Sequence, residues 1–289
     1  MPSNEGKACD AVFRELERRA GTPRHGVIRP AQPGYPSNQQ VELIGFVGSQ
    51  KYALEHTYVE PFKGFRDLNH QVGRFKRELL ASLKGRLDPN ASFELTIPIG
   101  VLGGRKPREL VRILRAIGDW VVATGPTLLP DPDDRAPVFS RSATPDIPFT
   151  VFLRRRDFTP FPPSFHVSSL VPADAEKLRR KRLRETYWRK ASKLLTVKTS
   201  RGARSVLILE EDDFQGTNHF SVAAAVRRVE KGRLAERPDE VYLLETKGST
   251  WYLYPIRIDG RWLYNKGEPG GRYRELDPRH LVDITTLVA

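Results

Sequence analysis

Apolar positions along the chain switch several times between a helical and a strand-like period. Residues 8–20 carry Val12, Leu16 and Ala20 on one side and stop at Gly21, which predicts a short helix. A proline-rich loop follows. Then VELIGFVG (41–48) and KYALEHTYVE (51–60) read as two strands joined at Gly48-Ser49-Gln50, a hairpin. Residues 66–87 repeat Val72, Phe75, Leu79, Leu83 and Leu87 at helical spacing. FELTIPI (93–99) alternates like a strand, and Pro107 opens a helix through Leu110, Ile113, Leu114, Ile117 and Val121. Residues 125–148 read as a loop, and FTVFLRRR (149–156) as a strand.

After the loop TPFPPSF, residues 177–198 form an amphipathic helix. Leu178, Leu183, Tyr187, Ala191 and Leu194 make its apolar side. SVLILEEDD (205–213), a helix over 218–231 and EVYLLET (240–246) continue as strand, helix, strand. TWYLYPIRI and RWLY flank Asp259-Gly260, a strong hairpin signal. Trp251, Tyr252, Tyr254 and Trp262 read as sheet core rather than a platform for bases. The fold class expected is α/β (α+β), a mixed central sheet flanked by helices. The expected organisation is one composite domain over 1–289. Its core is 8–61 with 166–264, an insertion fills about 62–165, and 265–289 is a C-terminal tail.

Charge adds a partner class. Among 289 residues, 48 Lys and Arg against 35 Asp and Glu give +13, which favours a polyanion. The helix over 177–198 holds ten cations and one acid, Glu185. Its basic face, with Arg179, Arg180, Arg182, Lys190 and Lys193, suits a phosphate backbone, or is simply solvated. Arg154 and Arg156, interleaved with Phe152, Phe158, Phe161 and Phe165, fit single-stranded nucleic acid, or are a solvated strand end beside core rings. The single Cys9 excludes internal disulfides and paired-cysteine zinc sites. No apolar run spans a bilayer and no signal peptide precedes the first helix, so the protein is expected in the cytoplasm, without a membrane partner.

No phosphate-binding glycine loop, dinucleotide fingerprint, zinc-protease helix or hydrolase elbow occurs, which weakens those chemistries. His166, His219 and His280 read as ordinary histidines. The first hairpin is more informative. Glu42, Ile44 and Phe46 share one strand face; Lys51, Ala53, Glu55 and Thr57 share another. Across the hairpin Glu42 falls close to Glu55 or Thr57. Two carboxylates in an apolar sheet repel unless a cation lies between them, and Mg²⁺ or Mn²⁺ suits such oxygens. Glu15 from the first helix is a third candidate ligand. A competing site lies at the ends of two later strands, with Asp212 or Asp213 opposite Glu245 and Lys247. The run Glu210-Glu211-Asp212-Asp213 also reads as a solvated turn.

The order helix, carboxylate-bearing strand, strand with Glu55-His56-Thr57, helix, strand resembles the PD-(D/E)XK nuclease superfamily, which has the restriction-endonuclease-like fold. The resemblance puts Glu42 at the Asp position, Glu55 at the Glu position, Thr57 at the Lys position and Glu15 at the helix position. Val41 stands where the Pro would be. It implies a Mg²⁺-dependent endonuclease acting on DNA. Glu42, Glu55, Thr57 and Lys190 would be catalytic, with Lys190 or Lys193 supplying the missing cation from the neighbouring helix. A nucleic-acid-binding module of the same fold without catalysis, and a protein-interaction domain with incidental charge, are the alternatives.

Overall fold

The computed structural model describes residues 4–29, 41–60, 64–130, 140–142, 147–156, 164–170, 174–211, 219–264 and 273–287. The chain divides into two compact units, residues 1–62 with 176–289, and residues 63–175. It begins with helix α1 (Glu5–Ala20), ended by Gly21 at φ 67°, where a residue without Cβ is unstrained. Three antiparallel strands follow: β1 (Arg24–Ile28), β2 (Leu43–Val47) and β3 (Gln50–Tyr58). Val47 pairs with Gln50 around a two-residue turn whose first member, Gly48, has φ 59°. That turn sets the β2–β3 register as Leu43 to Leu54 and Ile44 to Ala53.

Residues 63–175 contain α2 (Phe65–Leu83), β4 (Phe93–Pro98), α3 (Pro107–Thr124), β5 (Ser140–Ser142), β6 (Val151–Arg155) and β7 (Phe165–Leu170). Their strands join in the order β5-β6-β4-β7. Leu95, Ile97, Val151 and Leu153 pack with Phe75, Leu79, Ile113 and Ile117 of the two helices. Residues 166–170, which follow the loop read at TPFPPSF and receive no element from the sequence, form strand β7 together with Phe165. It pairs in parallel with β4, from Phe93–Phe165 to Pro98–Leu170.

The chain returns through α4 (Ala175–Arg201), β8 (Arg204–Glu211), α5 (His219–Glu230), β9 (Glu240–Glu245), β10 (Trp251–Ile258), β11 (Arg261–Trp262), β12 (Arg274–Leu276) and the one-turn helix α6 (Ile284–Leu287). Asp259 and Gly260 both have positive φ, 51° and 78°, as the turn between β10 and β11 demands. The first unit's strands run β1-β2-β3-β8-β9-β10-β11, with β12 also on β10. β3, β8 and β9 are parallel to one another, and their neighbours are antiparallel. The result is a mixed central sheet flanked by helices.

Both faces of the sheet are covered, which is why β8 and β9 read as continuous apolar runs. On one face Val12, Phe13 and Leu16 of α1 meet Leu43, Leu54, Val206, Ile208 and Leu244. On the other, Leu183, Tyr187, Ala191 and Leu194 of α4, with Val222 and Val226 of α5, meet Ile44, Ala53, Leu207, Leu209 and Leu243. Arg257 and Glu230 form a fully buried pair at 2.9 Å beneath α4, and Tyr187 donates its hydroxyl to the same carboxylate. Among the described residues no helix is long and apolar enough to cross a membrane.

Candidate functional site

Register and alternation decide where the hairpin acids go. Since Leu43 faces Leu54, the next pair outward is Glu42 and Glu55, on the face that carries Ile44 and Ala53. That is the face covered by α4. Lys190 of α4 follows Tyr187 by three residues and precedes Leu194 by four, so it leans beside the buried stripe over the acids. Its Nζ lies 2.6 Å from Glu42 Oε1 and 2.5 Å from Glu55 Oε2. Lys193, one turn on, has its Nζ 3.5 Å from Glu55 Oε1. The backbone N–H of His56 donates to Glu42 Oε2. Glu55 is fully buried, and among the described residues its oxygens have no donor beyond the ammonium groups.

Burial pushes the Glu55 carboxyl up to about 7, and the neighbouring charge of Glu42 adds to it, against the pull of Lys190. Burial raises the Glu42 carboxyl as well. Burial opposes the charge on Lys190, but the two carboxylates outweigh it and hold its pKa above the ordinary lysine value. The cluster is therefore a cation held between two acids, one of which exchanges a proton near neutral pH. Thr57 shares the face of Glu55, is buried, and pairs in register with Leu209 of β8.

Glu15 does not join this group. It sits on α1, whose apolar side covers the opposite face of the sheet, and its oxygens pair with Arg18 at 2.7 Å and Arg274 at 3.6 Å. The helix acid whose charge reaches Glu42 is Glu5. Glu5 lies in the first turn of α1, ahead of the helix start at residue 8 that the periodicity suggests. Among the described residues no three His, Cys, Asp or Glu side chains gather as a metal site, so the three-carboxylate set is not assembled.

The competing site is changed too. Glu210 and Glu211 are buried strand residues, not a solvated turn. Glu211 pairs in register with Glu245, so the two acids do share a sheet edge. Lys247 lies 3.9 Å from Glu245, which also accepts the Tyr254 hydroxyl at 3.4 Å. Asp212 and Asp213 lie outside the described residues. Glu210 turns to the α1 face, where His56 Nε2 is 2.7 Å away and Asn4 and Thr246 donate at 2.9 and 2.8 Å. Burial disfavours its charge, yet these hydrogen bonds, led by His56, lower its pKa. The sequence signal for this second cluster is a histidine inside an otherwise buried run.

The basic face is narrower than the count of cations suggests. Arg179 is buried, and Arg182 is half-buried with Glu60 at 3.0 Å. Lys190 and Lys193 point to the acids. The exposed cations include Lys177, Arg180, Lys181 and Arg184, of which Lys177, Lys181 and Arg184 follow one helical line. Arg154 and Arg156, in the second unit, are drawn to Glu94 at 2.5 and 3.0 Å, so they do not stand as an open cationic strand end. Phe158 and Phe161 lie outside the described residues.

No protein-family model, no curated protein and no solved structure matches this chain.

Proposed function

We propose that the protein is a metal-dependent nuclease of restriction-endonuclease-like fold, a divergent relative of the PD-(D/E)XK superfamily, and that it hydrolyses phosphodiester bonds in DNA. The observation that carries this reading is the convergence of Glu42, Glu55 and Lys190 from a hairpin and a crossover helix. The element order supports it: α1, an antiparallel β1-β2-β3 meander, then α4 and a strand parallel to β3.

The residues suit a hard divalent cation in one respect. Two carboxylates converge, and the oxygens of Glu55 are buried with, among the described residues, ammonium groups alone as donors. Mg²⁺ or Mn²⁺ held by Glu42 and Glu55 would keep several water ligands, as Mg²⁺ commonly does, and would supply a more acidic water and charge stabilisation at phosphate. Glu55 accepts a proton near neutral pH, Thr57 offers a hydroxyl on the same face, and Lys190 presents positive charge to a phosphate. The exposed line Lys177, Lys181 and Arg184 binds backbone phosphates.

A second reading has its own support. Lys190 bridges both acids and Lys193 adds a second ammonium at Glu55, so the protein supplies counter-charge to the pair without a metal, as in a nucleic-acid-binding module without catalysis. One assay separates the two. Supercoiled plasmid incubated with the protein and Mg²⁺ or Mn²⁺ is nicked, and Glu55→Gln abolishes nicking. Salt-sensitive DNA binding with no nicking in either metal selects the second reading.

A further inference from the structure

The sheet face that carries Glu42 and Glu55 also carries a connected group of rings. His219 stacks on Tyr254, with centroids 4.5 Å apart and planes at 12°, and meets Tyr264 edge-on at 4.8 Å. Phe220 meets Tyr264 at 5.7 Å, and Tyr273 meets Tyr254 at 5.6 Å and Tyr252 at 5.7 Å. The inner members are buried: Tyr254 is 7% exposed and Tyr264 3%. The outer ones are open, Phe220 at 37% and Tyr273 at 53%. A buried layer thus holds an exposed layer of rings at fixed tilt.

Strand register locates this group relative to the acids. Thr57 pairs with Leu209, Leu209 with Leu243, and Leu243 with Tyr254, a single row across β3, β8, β9 and β10. Three strand spacings of about 4.8 Å place Tyr254 about 14 Å from Thr57. A cation accompanies the rings: Lys247 follows β9 and lies 3.9 Å from the Glu245 carboxylate that accepts the Tyr254 hydroxyl. Exposed aromatic rings held at fixed tilt on a chain of net charge +13 suit planar bases on an anionic backbone better than an aliphatic protein segment.

We infer that Phe220, Tyr252 and Tyr273, backed by His219, Tyr254 and Tyr264, stack unpaired nucleobases, and that the nucleic acid bound here is single-stranded beside the carboxylate site. The position of cleavage rests on the nuclease reading; the stacking does not.

The test is fluorescence anisotropy with fluorescein-labelled dT12 in EDTA, compared with a strand of equal phosphate number lacking bases and with a duplex of the same length. Tyr273→Ala and Phe220→Ala each weaken dT12 binding about tenfold. The abasic strand, which loses every stack at once, binds the native protein about a hundredfold more weakly than dT12, and the variants bind it no worse. Tyr273→Trp, which keeps a stacking face, retains native affinity. Unchanged dT12 affinity in both alanine variants overturns the inference, as does an equal loss on the abasic strand. Absence of plasmid nicking with the dT12 pattern intact removes the nuclease reading alone; normal nicking with unchanged dT12 affinity removes the stacking site alone.

Discussion

The Lys190 ammonium lies 2.5 Å from a carboxylate oxygen of Glu55, a side chain wholly shut off from solvent. The helix thus places a positive charge where the sheet has concentrated negative charge. Lys190→Met removes that charge without removing the stem. The expected cost is about 2 kcal/mol at pH 8, below the 3–5 kcal/mol of a fully buried broken pair because Lys190 itself is partly open. At pH 5.5 the cost shrinks, since Glu55 then carries a proton. Urea unfolding at the two pH values measures both, and equal losses would count against the pairing.

Glu55 also sets a pH dependence. Its carboxyl is raised in the folded protein to about 7, from an ordinary value of 4.5. The native state therefore binds the proton more tightly than the unfolded chain. This contribution to stability is complete below about pH 4.5 and is lost as pH climbs through about 7. Glu55→Gln should flatten the fall in stability across that window relative to the native protein. Thermal melts from pH 4.5 to 8 decide it; parallel curves for the two proteins would refute the assignment. Mn²⁺ binding, which competes with the same proton, should tighten over the same rise in pH.

The buried Arg257–Glu230 pair offers a test of the fold independent of function. Glu230→Ala strands a guanidinium that is 1% exposed, at a cost of about 3–5 kcal/mol. Tyr187→Phe removes only the hydroxyl donated to Glu230 and costs about 1 kcal/mol. Denaturant midpoints give both values, and a Glu230→Ala effect below that of Tyr187→Phe would contradict the buried pair.

Several of these relationships were readable in the chain itself. Alternation on either side of Gly48-Ser49 brings Glu42 opposite Glu55, and the helical period nominates Lys190 and Lys193. What was hidden depends on distant pairing. Whether Glu210 is a turn or a buried strand end follows from β8 lying between β3 and β9, which local periodicity does not encode. Glu15 and Glu5 share a helix; only the position of α1 on the far face shows that Glu15 belongs with Arg18 and Arg274. Strand β7, with its polar Ser168 and Ser169, becomes a strand through β4. Arg154 and Arg156 looked like an open cationic edge because Glu94, their partner, is about sixty residues earlier.

The exposed line on α4 makes a further quantitative demand. Replacing Lys177, Lys181 and Arg184 together by alanine should reduce the slope of log affinity for duplex DNA against log salt by about 2–3, at about 0.9 per lost phosphate contact. Titrations from low to moderate salt measure the slope. An unaltered slope would mean that DNA, if bound at all, is held elsewhere.

Lys190 comes 148 positions after Glu42, because an entire second unit is threaded between β3 and α4. At about 5–20 residues per second, a ribosome delivers the hairpin roughly 7–30 s before the lysine that neutralises it. Every nascent chain therefore passes through a stage with both acids made and their counter-charge still unwritten. Completion of the cluster waits until the whole second unit has been made, and a product stopped before position 190 lacks both the lysine and the parallel strand that would wall the acids in.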